Sequence, residues 1–291
     1  MSIKKSEKRE QTPLSMTWRR LKKNKVSMVG LCVVVFFCLL AIFASVIASY
    51  EGVALAQNIP NRLQPPSREH IMGTDGFGRD VFARIVHGTR FSLAIGLGTT
   101  LASMIIGGTL GSIAGFYHGW IDSIITRIMD ALLCIPSILL ALAVVGALGG
   151  GMVNLMIALT IAQIPVFTRI VRSTVLTLRD IDYIRAARSC GADDTRIISK
   201  HIIPNAMGPI IVQATQQVAL MILSAAGLSF LGLGVEVPRP EWGVMLAEAR
   251  DFIRTRPSLI IFPGVTIVVC ALSFNLLGDG LRDALDPRLK D

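Results

Sequence analysis

Of the 291 residues, 52% are hydrophobic and only 17% charged, and the mean hydropathy is +0.59; a soluble globule would be left with too little polar surface. The net charge of +9 comes mostly from two segments with a single aromatic residue each, Trp18 and Tyr183, which argues against a nucleic-acid surface and for a topology signal. The five cysteines (Cys32, Cys38, Cys134, Cys190, Cys270) include no CxxC pair, so neither a zinc site nor a disulfide framework is expected.

The chain reads as an all-α, polytopic membrane protein. Residues 1–16 are polar and expected to be disordered, and Thr17 to Lys25 is expected to form an interfacial helix anchored by Trp18. A span of the hydrocarbon core needs about 20 apolar residues. Six segments meet or approach that length: Ser27–Ser49, Phe91–Phe116, Ile124–Leu148, Met152–Val171, Gly208–Gly234 and Ser258–Leu277. The first is too long for the apolar core of a signal peptide and is expected to be retained. The fourth contains Pro165, expected to kink it.

The organisation follows: a tail and interfacial helix (1–26), a first membrane helix (27–49), an external segment (50–90), a five-helix core (91–278) and a tail (279–291). Basic residues set the orientation. Nine Lys and Arg lie in the first 26 residues and seven between Thr168 and Met207, while the segments 50–90 and 235–257 carry five and four, each balanced by four acids. The positive-inside bias therefore puts both termini and the loop 172–207 in the cytoplasm. DVFARIVHGTRF is expected to lie on the outer membrane surface as an amphipathic helix, and a second helix is expected from Glu241 to Ile253.

Gly107, Gly111 and Gly115 recur every four residues in the second span, with Ser92, Gly96 and Thr100 continuing a small-residue face that favours close helix packing. Catalytic constellations are missing. All four histidines are expected in loops, and neither GxSxG, HExxH nor GxxxxGK[ST] occurs. GTDGFGRD reads better as a tight turn than as a phosphate loop. Arg127 and Asp130, at i and i+3, are expected to pair with each other. Gln213 and Gln217 share a helix face and Asn275 lies late in the sixth span; each either bonds another helix or lines a wet path, and both readings stand.

The polar island RAARSCGADDTRIISKHIIPNA is the strongest functional signal. A helix from Ile181 to Cys190 is expected to end at Gly191 in the left-handed conformation. Asp193 or Asp194 is expected to cap a second helix, Thr195–His201, closed by Pro204. Ala187 and Gly191, four apart, leave a small-residue surface for docking.

This island resembles the EAA loop of ABC-importer permeases: Ala186, Ala187, Gly191 and Pro204 match in spacing and Ile203 stands where leucine is usual. Arg185 replaces the pattern's glutamate and His201 its isoleucine, while Ala192 follows the glycine. RIMDALLCIPSILLALA, LSFLGLG followed by PEWGVML, and FNLLGDGLRDALDPRL are similar to the second permease subunit of dipeptide, oligopeptide and nickel uptake systems. The resemblance implies a type I ABC-importer permease fold in a bacterial inner membrane and alternating access without catalysis on this chain. Implied partners are a homologous second permease, two ABC ATPase subunits that bind ATP and Mg, and an external solute-binding protein. Arg185, Ala186, Ala187, Gly191, Ala192, His201, Ile203 and Pro204 would form the ATPase-coupling loop, with Gln213 and Gln217 on the translocation path. A secondary carrier is disfavoured by the lack of midplane charges, and a membrane enzyme by the missing constellations.

Overall fold

The structure is a computed structural model that describes residues 13–117 and 119–285. The polar run 1–12, His118 and the end of the expected tail, 286–291, lie outside the described residues. In chain order the helices are α1 (Pro13–Lys23), α2 (Lys25–Ile47), α3 (Val81–Phe116), α4 (Trp120–Leu133), α5 (Ser137–Leu148), α6 (Met152–Leu178), α7 (Asp182–Ser189), α8 (Asp194–Arg196), α9 (Ile203–Phe230), α10 (Trp242–Ala249) and α11 (Ser258–Leu285). Among the described residues there is no strand, and the only β pairing is an isolated bridge between Thr74 and Asp80.

Five helices are long and apolar enough to cross a membrane, and the bent pair α4 and α5 passes the same test together, as a broken span or a re-entrant loop. The expected span Ile124–Leu148 is not one continuous helix: its two halves meet at 89°. Pro136 is the reason, since it removes a backbone donor and pushes Ile135 out of the helical region. Pro165 acts differently, and α6 runs through it without a break. A second correction concerns DVFARIVHGTRF, which forms the first turns of α3 rather than a separate surface helix, with Asp80 capping Ala83 N at 2.8 Å. His87 is consequently helical rather than in a loop.

Helix α3 is the spine. Against α6 it approaches along the glycine seam: a Cβ at Gly107 would lie 2.6 Å from Ile164 O, and one at Gly111 2.5 Å from Thr168 O. In lipid, where apolar burial offers little advantage, such close contact supplies the packing energy. On its other side α3 meets α9, with Gly96 against Ile222. Helix α2 packs on α11 and α3. The Arg90 guanidinium joins α3 to α2 by donating to Ala41 O, Ile42 O and Ser45 Oγ.

Three apolar cores stack along the bundle. One joins α2, α3, α9, α10 and α11 around Trp242, another lies between α5, α6 and α9, and the third sits under the α7–α8 loop. Trp242 is fully buried, with its indole Nε1 donating to Ile85 O at 3.2 Å and its ring edge-on to Phe37. At the loop end α1 lies against α11, with Leu21 buried and Arg20 Nη1 donating to Ala284 O at 3.5 Å.

Candidate coupling loop, ion pairs and polar cleft

Helix α7 ends as its sequence predicts. Gly191 has φ +84°, its N–H donates to Arg188 O at 3.0 Å, and the Ala192 N–H reaches Ala187 O at 3.1 Å. These bonds form the Schellman arrangement that stops a helix at a left-handed glycine. A Cβ at 191 would meet nothing within 4 Å, so the position is constrained by its backbone and opens on free space. Arg185, Ala186 and Gly191 are exposed and Ala187 and Ala192 half-buried. The loop presents small side chains outward.

What holds the loop is apolar. Ile184, Ile197 and Ile202 are buried against Phe116, Val171 and Val175 at the ends of α3 and α6, while Arg188 stacks on the Phe116 ring with its guanidinium carbon 5.5 Å from the centroid. The second helix departs from expectation. Asp193 sits at the cap of α8, but its side chain accepts no capping bond. Pro204 does not end a helix: the helical run Asp194–Phe230 continues through it, with a π-helical turn at Ile197–Ile202 just before it. His201 and Ile203 are half-buried and Pro204 exposed.

Two interhelical ion pairs escaped the sequence. The expected Arg127–Asp130 pair is replaced by Arg169 Nη2 of α6, 2.9 Å from Asp130 Oδ1. Arg172 grips Asp122 with two bonds, at 2.6 and 2.8 Å. Spacing within α4 could suggest only a local partner, because the arginines arrive from another helix. Their weak signal was an arginine pair at 169 and 172 late in an apolar span.

Gln213 and Gln217 do not act together. Gln217 is 2% exposed and its Nε2 donates to Gln163 Oε1 of α6, so it is an interhelical bond. Gln213 instead borders an open cleft of about 410 Å³ between α6, α9 and α11, with Gln216 and Arg282. Gln216 Nε2 donates to Asp279 Oδ1 at 3.0 Å. Asn275 is exposed on α11.

At the opposite end GTDGFGRD is a turn with a second role. Gly73 and Gly78 take positive φ, and Asp75 Oδ1 accepts from the N–H groups of Phe77 and Arg79 at 2.8 and 3.0 Å. Its other oxygen lies 2.7 Å from Arg79 Nε and 3.4 Å from Arg84 Nη1, and Glu248 of α10 binds both guanidinium groups at 2.8 and 2.7 Å. Both arginines are 1% exposed. Four charges thus tie the turn, α3 and α10 together. Among the described residues no group of three or more His, Cys, Asp or Glu could hold a metal ion.

The sequence profile described as binding-protein-dependent transport system inner membrane component matches residues 107–291, and one described as the N-terminal transmembrane domain of oligopeptide transport permease C matches residues 12–66. The chain belongs to this permease family. It is 50% identical over 279 residues to the dipeptide transport system permease protein of Alkalihalophilus pseudofirmus, covering 96% of this chain and 91% of that one. It is 45% identical over 287 residues to a glutathione transport system permease protein of Pectobacterium atrosepticum, covering 98% and 94%. The fold is similar to that of a chain of the MetNI methionine ABC transporter, with a TM-score of 0.58 at 18% identity over 70% of this chain and 97% of that one.

The permease is accordingly a multi-pass membrane subunit of an ABC importer, and its relatives are transport permeases rather than enzymes.

Proposed function

We propose that this permease imports short peptides across a bacterial inner membrane, paired with a homologous second permease. Two cytoplasmic ATPase subunits, which bind ATP and Mg, drive the cycle, and an external binding protein delivers the substrate. The observation that carries the coupling assignment is the loop: an exposed, small-residue helix end at Ala186–Gly191, seated on Ile184, Ile197 and Ile202. A rigid seat under a small-residue surface suits force transmission from a moving partner to the ends of α3 and α6.

In this reading Arg185, Ala186, Ala187, Gly191 and Ala192 contact the ATPase, while His201, Ile203 and Pro204 join the loop to α9. The termini lie in the cytoplasm with the loop, in accord with the basic residues that cluster there. The turn at 73–80 and α10 lie outside and face the binding protein or the second permease. Peptides are the favoured cargo because the relatives at 50% and 45% identity are named for dipeptide and glutathione transport.

The test is uptake of labelled dipeptides, glutathione and nickel by cells lacking and then regaining the gene, combined with co-purification of an ATPase. Peptide uptake that depends on the gene supports the reading. Nickel uptake alone would redirect it to a metal importer, and purification without any ATPase would remove the coupling assignment.

A further inference from the structure

We propose that the cleft between α6, α9 and α11 is a peptide-binding subsite that recognises the backbone and terminal carboxylate of a short peptide, through Gln213, Gln216 and Arg282. This rests on the peptide-importer reading and deepens it.

The site begins with a polar anomaly. Gln213 and Gln216 lie about 15 and 20 Å along α9 from Ile203, at 1.5 Å per residue, within a helix that is apolar overall. Both are only half-buried. Primary amides cannot rest against acyl chains without a partner, so the face that carries them is wet or covered by protein. Gln216 is also oriented. Gly278 of α11 gives it room, since a Cβ there would lie 2.8 Å from Gln216 Cγ, and Asp279 Oδ1 accepts one of its N–H groups. Its amide oxygen and second N–H are left for a ligand.

The lining matches one ligand class. A primary amide offers a donor and an acceptor side by side, the complement of a peptide unit, and does not depend on which side chains the peptide bears. Arg282 supplies a fork suited to a carboxylate. Ile170, Val212 and Leu285 add apolar surface. The volume of about 410 Å³ lies within the usual range for small-ligand sites. A divalent cation is a poor alternative here, because the lining brings an arginine and no carboxylate, imidazole or thiolate. A lipid tail would suit the neighbouring grooves better, where Met104 and Ile210 or Leu101 and Phe274 make the walls apolar.

The experiment uses the complete transporter, both permeases with their ATPases, in lipid nanodiscs without nucleotide or binding protein. Binding of radiolabelled dialanine and of its C-terminal amide is measured by scintillation proximity. The wild type is expected to bind dialanine saturably and the amide at least 5-fold more weakly. Arg282→Gln should narrow that difference to under 2-fold. Gln213→Ala combined with Gln216→Ala should weaken both ligands by 5-fold or more, and Gln213→Glu, close in shape, should weaken dialanine further than the amide. Absence of saturable binding in the wild type, or equal binding in all variants, overturns the subsite. Loss of the second permease on purifying the glutamine variants would overturn it too, making the face a subunit contact. ATP-driven uptake by the wild type in proteoliposomes, with the external binding protein supplied, separates the two claims: uptake of dialanine with unaffected binding in the variants sinks only the subsite, whereas no uptake of any peptide sinks the peptide-importer reading with it.

Discussion

Asp122 of α4 accepts two hydrogen bonds from the guanidinium of Arg172 on α6, and eight residues further along α4 Asp130 meets Arg169, only three residues before Arg172. Eight residues of α4 cover about 12 Å and three of α6 about 4.5 Å, so the two pairs tie separate turns of α4 to one turn of α6. Replacing Asp122 by Ala leaves Arg172 without its bidentate partner and is expected to cost about 1.5–3 kcal/mol. A double-mutant cycle on the thermal unfolding of the purified complex would check it; additive single losses would show that the pair contributes nothing.

Gly191 separates two kinds of demand on one position. Leucine there must adopt φ +84°, at about 1–2 kcal/mol, and also fills space that is otherwise open. Membrane insertion should be unchanged while uptake falls at least tenfold and ATP hydrolysis becomes uncoupled. Asparagine, which tolerates the left-handed region, should keep α7 intact; uptake by Gly191→Asn as low as with leucine would mean that the free space, rather than the turn, is what the ATPase needs.

Glu248 bridges two buried arginines at once. Its replacement by Ala leaves Arg79 and Arg84 facing Asp75 alone, and breaking a buried ionic network of this kind costs about 3–5 kcal/mol. The variant is expected to unfold at a clearly lower temperature and to expose the turn at 73–80 to protease. An unaltered melting temperature would contradict the ionic tie between that turn and α10.

Along the α3–α6 seam, Gly107→Val would place a branched side chain where even a Cβ lies 2.6 Å from a backbone carbonyl. The helices must separate, and a loss of more than about 3 kcal/mol is expected, at the upper end of overpacking effects. Yield of folded protein after detergent extraction reads this directly, and Gly108→Val, where a Cβ has no contact closer than 4.0 Å, is the control.

Gln217→Leu should be mild. Its buried Oε1 has no partner among the described residues, so the substitution removes one interhelical bond and also one unsatisfied oxygen. A net change within about 1 kcal/mol is expected, in line with interhelical bonds in other membrane bundles. A loss of uptake at unchanged stability would instead restore Gln217 to the translocation path.

The features legible in the sequence are those whose physics is local or periodic. Lipid solvation demands long apolar runs, and these mark the spans. The glycine repeat marks the α3 seam, since close approach requires small residues at fixed helical spacing. Gly191 marks the end of α7, because left-handed backbone favours glycine. Tertiary structure alone decided which charges meet. Asp130 finds Arg169 rather than Arg127, Asp75 and Glu248 close on the same two arginines from positions more than 170 residues apart, and Gln217 is consumed by Gln163 while Gln213 and Gln216 border the cleft. The reason is geometric. A hydrogen bond or ion pair depends on a few ångströms of separation between groups on different helices, and that separation is set by bends such as the one at Pro136 and by the depth of packing, which no spacing along a single helix records.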